Sequence, residues 1–278
     1  QNLSLADGAR YVTTLRCING AGAFEDLESD GFTVDSTVPN STLARVQHAI
    51  HDLHVAIQAD RSTLEASWSG FVDVESSVVG FAWSVGSSPG ATDVIPVTDL
   101  GAVTTAVAAG LSLVDGSTYY VTVYATNGAE LVSSATSAGV TVDGSAPVPS
   151  TSVMVNGTSA DSTGNVEWVA STSELTAHWS RAIDAHTSVT YRWCIGTAAF
   201  GQQVLPWTNV GHRLTATATG LQLLVGTRYY VTVQATNAAG LAVFANSAAV
   251  AVDTVPPTPG TVAVAVHMLR AGAVAAPY

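Results

Sequence analysis

Three histidines, His48, His51 and His54, recur every third residue and are the first candidates for metal ligation. Imidazoles at that spacing share one face of a helix but alternate across a strand. The corresponding stretch about 110 residues on, Thr158 to Trp168, carries no histidine. The spacing therefore reads as a polar loop, and no metal site is assigned to it. Carboxylates offer a second possibility. Asp73 and Glu75, matched by Asp184 in the next copy of the same turn, are oxygen donors of the kind Ca²⁺ takes near a domain junction. Calcium requires roughly six to eight oxygens, and no stretch has the dense Asp, Asn and Gly spacing of a dedicated loop. These side chains read as solvated turn carboxylates. No nucleophile elbow, Walker loop, Cys-x-x-Cys or His-Glu-x-x-His occurs, so neither an enzyme nor a bound cofactor is expected.

Covalent modification has stronger signals. Asn2-Leu3-Ser4, Asn40-Ser41-Thr42 and Asn156-Gly157-Thr158 are glycosylation sequons. Asn40 and Asn156 each lie soon after a proline, where an exposed strand edge needs cover. N-linked glycans are expected at these positions, and the Ser and Thr around the prolines would also suit O-linked sugar.

The elements that carry these residues are set by one repeated stretch. Leu113 to Gly128, LVDGSTYYVTVYATNG, reappears as LLVGTRYYVTVQATNA from Leu223 and as LADGARYVTTLRCING from Leu5. Tyr11, Tyr119 and Tyr229 mark intervals of 108 and 110 residues, the size of a small domain. Tyr119, Val121, Val123 and Ala125 alternate with Tyr120, Thr122, Tyr124 and Thr126, which predicts a strand with one buried face. Asp115-Gly116 before it and Asn127-Gly128 after it are turn signals.

Leu-x-x-Gly-x-x-Tyr followed by alternating Val and Thr and then Ala-Thr-Asn resembles the E-F turn and F strand of a fibronectin type III domain. In that family the Tyr at this place makes the tyrosine corner of the sandwich. Leu113, Gly116 and Tyr119 match, as do Leu223, Gly226 and Tyr229, and Leu5, Gly8 and Tyr11. The usual Pro before the Gly is Asp7, Asp115 or Val225 here, which marks a divergent branch, similar to the long repeat arrays on surface proteins of unicellular eukaryotes and algae. The resemblance implies an all-β chain of tandem fibronectin type III-like β-sandwiches arranged as a rod.

Four segments follow. Residues 1-38 read as the F and G strands of a repeat, with F over Leu5 to Cys17 and G over Gly31 to Asp35. Two strands alone leave an apolar face bare. Residues 39-146 form a whole repeat, with B at Leu64 to Trp68, C at Phe81 to Val85 and G at Val140 to Val142. Residues 147-256 repeat the plan, with B at Leu175 to Trp179, C at Tyr191 to Ile195 and G at Val250 to Val252. Residues 257-278 contain Thr261 to Val266, read as the first strand of a following repeat or as an inter-subunit strand. The expected core anchors are Tyr11, Trp68, Trp83, Tyr119, Trp179, Trp193 and Tyr229. Cys17 faces inward on F and Cys194 outward on C. They are disulfide candidates, Cys17 with the rest of its own domain and Cys194 with a neighbouring chain, against the alternative of unpaired thiols.

Composition narrows the partners. A net charge of −12 with no lysine argues against nucleic acid and anionic membrane. No apolar run is long enough to span a bilayer, and Gln1 to Thr14 lacks the character of a signal peptide. The expected setting is extracellular or at the cell surface, as part of a longer secreted protein. Only 11% of residues are charged and mean hydropathy is +0.31, thin protection for a free monomer. Glycan or self-association with neighbouring copies or adjacent repeats must cover the surface. The expected role is a structural component of an extracellular glycosylated fibre, filament or surface coat, with head-to-tail polymerisation by strand addition as one route. The alternative is an adhesin or receptor ectodomain that binds protein or glycan through its loops.

Overall fold

A computed structural model describes residues 3–48, 56–149, 152–157, 159–160 and 166–262. Those residues form strands and no helices, and no helix is long and apolar enough to cross a membrane. The first segment contains β1 (Arg10–Tyr11), β2 (Thr14–Ile18), β3 (Phe24–Glu28) and β4 (Phe32–Thr33). The next copy runs β5 (Arg45–His48), β6 (Ile57–Gln58), β7 (Thr63–Ser69), β8 (Val78–Gly86), β9 (Ile95–Gly101), β10 (Thr105–Ala109), β11 (Thr118–Asn127), β12 (Val132–Thr136) and β13 (Val140–Val142). The last copy contains β14 (Val153–Val155), β15 (Ser159–Ala160), β16 (Val166–Val169), β17 (Glu174–Trp179), β18 (Val189–Gly196), β19 (Leu205–Gly211), β20 (Thr215–Thr219), β21 (Arg228–Asn237), β22 (Ala242–Asn246) and β23 (Val250–Val252).

Each whole repeat is two facing sheets. In the first, β5, β7 and β10 make one sheet and β6, β13, β11, β8 and β9 the other, with β12 also paired to β11. In the second, β14, β17 and β20 face β16, β23, β21, β18 and β19. Strands corresponding to A, B and E thus oppose those corresponding to G, F, C and C′. The inward faces interdigitate as such sandwiches require. Leu64, Trp68, Trp83, Val85, Tyr119, Val121, Val123, Val140 and Val142 fill the first core. Leu175, Trp179, Trp193, Ile195, Tyr229, Val231, Val233, Val250 and Val252 fill the second. The Tyr119 hydroxyl accepts from the Val114 N–H at 3.0 Å and that of Tyr229 from the Leu224 N–H at 2.8 Å, which fixes each E-F turn against its own F strand.

The F strand is clasped by a broken neighbour. β12 pairs with the far end of β11 and β13 with its start. At the break the Ser137 hydroxyl accepts from the Val121 N–H at 3.0 Å, and Ser247 repeats this with Val231 at 3.0 Å. A side chain replaces the ladder bond that the break removes. The stretches read from sequence as G are therefore only its second half.

The first segment has the same split but lacks opposing strands. Its F strand is not continuous from Leu5 to Cys17: β1 pairs with β4, and β2 with β3. Without a C strand alongside, nothing holds β1 and β2 in one line. Tyr11 is only half-buried, packing on Phe32 at 6.0 Å, in contrast to the buried Tyr119 and Tyr229. Leu15, Ile18, Phe24 and Leu27 are exposed. Of Thr261 to Val266, residues from 263 lie outside the described residues, and Thr261 and Val262 are not in a strand.

Candidate interface at the inter-repeat junctions

The fold brings three loops together where one repeat meets the next. Asp35 lies two residues past β4, the first segment's last strand, Asp73 lies in the turn between β7 and β8, and Asn127 is the last residue of β11. Asn127 is fully buried. Its Oδ1 accepts from the N–H groups of Ala129 and Leu131 at 3.1 and 2.8 Å, shaping its own turn. Its Nδ2 donates to Asp35 Oδ2 at 2.7 Å, to the Thr37 carbonyl at 2.9 Å and to Asp73 Oδ2 at 3.0 Å. The Ser76 hydroxyl donates to the same Asp35 oxygen. One amide thus binds the outgoing strand of one unit to the turn of the next.

The second junction is built the same way. Asn237 Nδ2 donates to Asp143 Oδ2 at 3.1 Å, to the Ser145 carbonyl at 2.9 Å and to Asp184 Oδ2 at 3.1 Å. The Thr187 hydroxyl donates to Asp143 Oδ2 at 2.6 Å. Asp143 is fully buried, and these donors satisfy its carboxylate oxygen. The turn carboxylates are likewise surrounded by donors. Desolvation pushes Asp73 and Asp184 up, but backbone N–H groups of the turn and the Asn amide outweigh it and hold both below the usual carboxylate range.

The units also touch through the preceding E-F turn. A side chain at Gly116 would meet His186 Nδ1 at 2.6 Å, and one at Gly8 would meet the Glu75 stem at 3.9 Å. Asp115 accepts from the Gly144 N–H at 2.8 Å, as Asp7 does from Ser36 at 2.8 Å, bracing the residue after each junction Asp. The Gly144 N–H holds the Asp115 carboxyl low against desolvation, with further help from the Arg61 guanidinium. The junction prolines Pro39 and Pro147 are buried.

The reading of Asp73, Glu75 and Asp184 as solvated turn groups is corrected here. They are half-buried and face a junction. Carboxylate oxygens of Asp35, Asp73 and Glu75 lie within 4.8 Å of one another. In the second junction His186 stands where Glu75 does, so the two do not offer the same donor set. Asp35, Asp143 and the two asparagines were not among the sequence candidates, although Asp35, Asp143 and Asp253 recur with the Tyr period.

The remaining candidates scatter. Asn40 and Asn156 are exposed, while Asn2 lies outside the described residues. His51 and His54 also lie outside them. His48 is buried in β5 opposite Ala66, as Val155 is opposite Ala177 in β14. Its true counterpart is thus a core valine, nearer than the Thr158 to Trp168 stretch. Its Nε2 meets the Ser137 hydroxyl at 2.8 Å. Both cysteines are unpaired. Cys17 is exposed on β2, but Cys194 is fully buried, which corrects its outward, neighbour-facing assignment. The turn after β18 folds back over that face, with the Phe200 N–H donating to Thr232 Oγ1 at 2.8 Å. Burial raises the Cys194 thiol pKa despite opposing contacts from Thr232 and Arg192.

A further cluster had no sequence signal. Phe200, Trp207 and Phe244 gather on the second repeat, with Phe200 to Phe244 at 5.5 Å and Trp207 to Phe244 at 6.2 Å. The Arg192 guanidinium lies 5.0 Å from the Trp207 ring centre. Phe200 adopts φ 64°, the region that Gly90 occupies with φ 79° in the first repeat.

No protein-family model matches the chain, and no characterised protein matches it in sequence. Similar solved structures exist. Fibronectin(III)-like modules of CbhA from Clostridium thermocellum are 12% identical, with 74% of this chain and 93% of that chain covered at a TM-score of 0.45. A run of titin domains is 16% identical over 90% of this chain and 75% of that one, with a TM-score of 0.43. The FN1-FN3 domains of chicken CNTN1 are 15% identical over 85% and 77%, with a TM-score of 0.40. The sheet topology and the two cores themselves define the described residues as successive all-β sandwiches.

Proposed function

We propose that this chain is a structural segment of an extracellular, glycosylated fibre, filament or surface coat, acting by shape and not through a reactive centre. The observation that carries the reading is the repeated junction, in which a buried Asn, two Asp and a buried Pro recur between successive units. Bonded junctions with almost no free spacer suit a stiff array. The low charge and the exposed apolar residues of the first segment suit a surface covered by neighbouring copies or sugar. Electron microscopy of the native material tests this. A periodic fibre or coat with sugar density at Asn40 and Asn156 supports it, and isolated flexible chains refute it.

A second reading rests on the aromatic cluster. Phe200, Trp207, Phe244 and Arg192 are residue types that dominate binding hot spots, and the first repeat has Gly90, Val97, Ser134 and Ala82 in their places. An adhesin would bind protein or glycan there. Loss of binding to host or matrix extracts on Trp207→Ala, with the array unchanged by microscopy, would favour it.

A further inference from the structure

We propose that Asn127 and Asn237 are orientation locks, each fixing the angle between two successive repeats by donating from one side-chain amide to both. This deepens the structural reading by naming the residues that would make the array stiff. It stands or falls separately, since a fibre can form from loosely hinged units.

Three observations carry it. First, the same set of bonds occurs twice, at junctions whose linkers differ in sequence, Asp35-Ser36-Thr37-Val38-Pro39 and Asp143-Gly144-Ser145-Ala146-Pro147. Second, each Asn divides its work: Oδ1 shapes its own turn, while Nδ2 joins the preceding unit's Asp and carbonyl to the Asp in the B-C turn of its own repeat. An aspartate would keep the first job and lose the second. Third, the chain also contains the separated halves. Asn19, the counterpart of Asn127, uses Oδ1 for the N–H groups of Ala21 and Ala23 at 3.0 Å each, and no described residue accepts from its Nδ2. Asp253, the counterpart of Asp143, is exposed, and among the described residues only the Val255 N–H, at 2.9 Å, meets its carboxylate. Each half takes its local shape without the other, so the amide-to-carboxylate bonds belong to the contact between units.

The charged groups facing the first amide are Asp35, Asp73 and Glu75. Those around the second are Asp143 and Asp184, with Asp115 and His186 beside them. A further carboxylate placed among either set at neutral pH would repel the acids around it.

Electron–electron resonance distances on the full chain test the lock. Spin labels at Val97→Cys and Leu224→Cys, both exposed positions, span the second junction once Cys17→Ser and Cys194→Ser remove the native thiols. Ser84 already fills the Cys194 position in the first repeat. The parent should give one narrow distance distribution. Asn237→Asp should broaden it about twofold or more, as expected for two domains free to move, while Asn127→Asp, the same change at the other junction, leaves it narrow. Asp143→Ala releases the junction from the opposite side without touching the Asn237 turn, and should also broaden it. An unchanged width in both Asn237→Asp and Asp143→Ala, or equal broadening by Asn127→Asp, overturns the proposal.

Discussion

Acidification is expected to weaken the first whole repeat more than the second, through His48. Its ring is buried, and desolvation lowers its pKa from 6.5 to about 4. The Ser137 hydroxyl accepts from the N–H groups of Val121 and Gly139, so its own proton points to His48 Nε2. The ring proton then sits on Nδ1, which is buried without a partner. The unfolded chain takes up a proton near 6.5, and the folded chain waits until about 4. Stability from this group is therefore intact above the unfolded value, falls as pH drops through the interval, and levels off below it. The full gap amounts to about 3 kcal/mol, and most of it is lost by pH 4.5. That lowers the melting point of a domain this size by about 10 °C or more. The second repeat has Val155 at this position and lacks the step. Thermal unfolding at pH 7.5 and 4.5, followed through the indole NMR signals of Trp68 and Trp83 against Trp179 and Trp193, separates the two. His48→Val should abolish the difference without destabilising the repeat at pH 7.5. An equal acid shift in both repeats, or a shift that survives His48→Val, would refute the burial argument.

Other outcomes follow from single contacts. Tyr119→Phe or Tyr229→Phe should each cost about 1–2 kcal/mol of its own repeat's stability, measured by denaturant unfolding, because the bond to Val114 or Leu224 is lost. Ser247→Ala leaves the Val231 N–H in the buried break without its acceptor and should cost about 1–3 kcal/mol. Glu130 adopts φ 64° where the second repeat has Gly240. Glu130→Gly should raise the first repeat's melting point by relieving about 1 kcal/mol of left-handed strain. An added Cβ at Gly196 would land on the Gly201 backbone, so Gly196→Ala should selectively lower the second repeat's melting point.

The fold was legible because its signals are local and repeated. Tyr119, Val121, Val123 and Ala125 alternate against turn residues at both ends, and Trp68 and Trp83 recur as Trp179 and Trp193. The β9 and β19 strands, at Ile95 to Gly101 and Leu205 to Gly211, are not legible in the sequence because mostly polar or exposed residues blur the alternation. Cys194 misled because alternation places it away from the core, while a turn about six residues downstream covers it. The junction was half visible. Asp73 and Asp184 stood out as turn acids, but their partners Asp35 and Asp143 lie about 40 residues upstream, and Asn127 and Asn237 more than 50 downstream. Asn-Gly and Asn-Ala there read as ordinary turn chemistry. Only the sandwich topology brings the three loops to one edge.

The most direct test of a chain that works through a fixed succession of sandwiches is the alignment of its two whole repeats in solution. Residual dipolar couplings from the full chain should yield the same alignment magnitude and a single relative orientation for the two. Unequal magnitudes, with each repeat tumbling on its own, would contradict it.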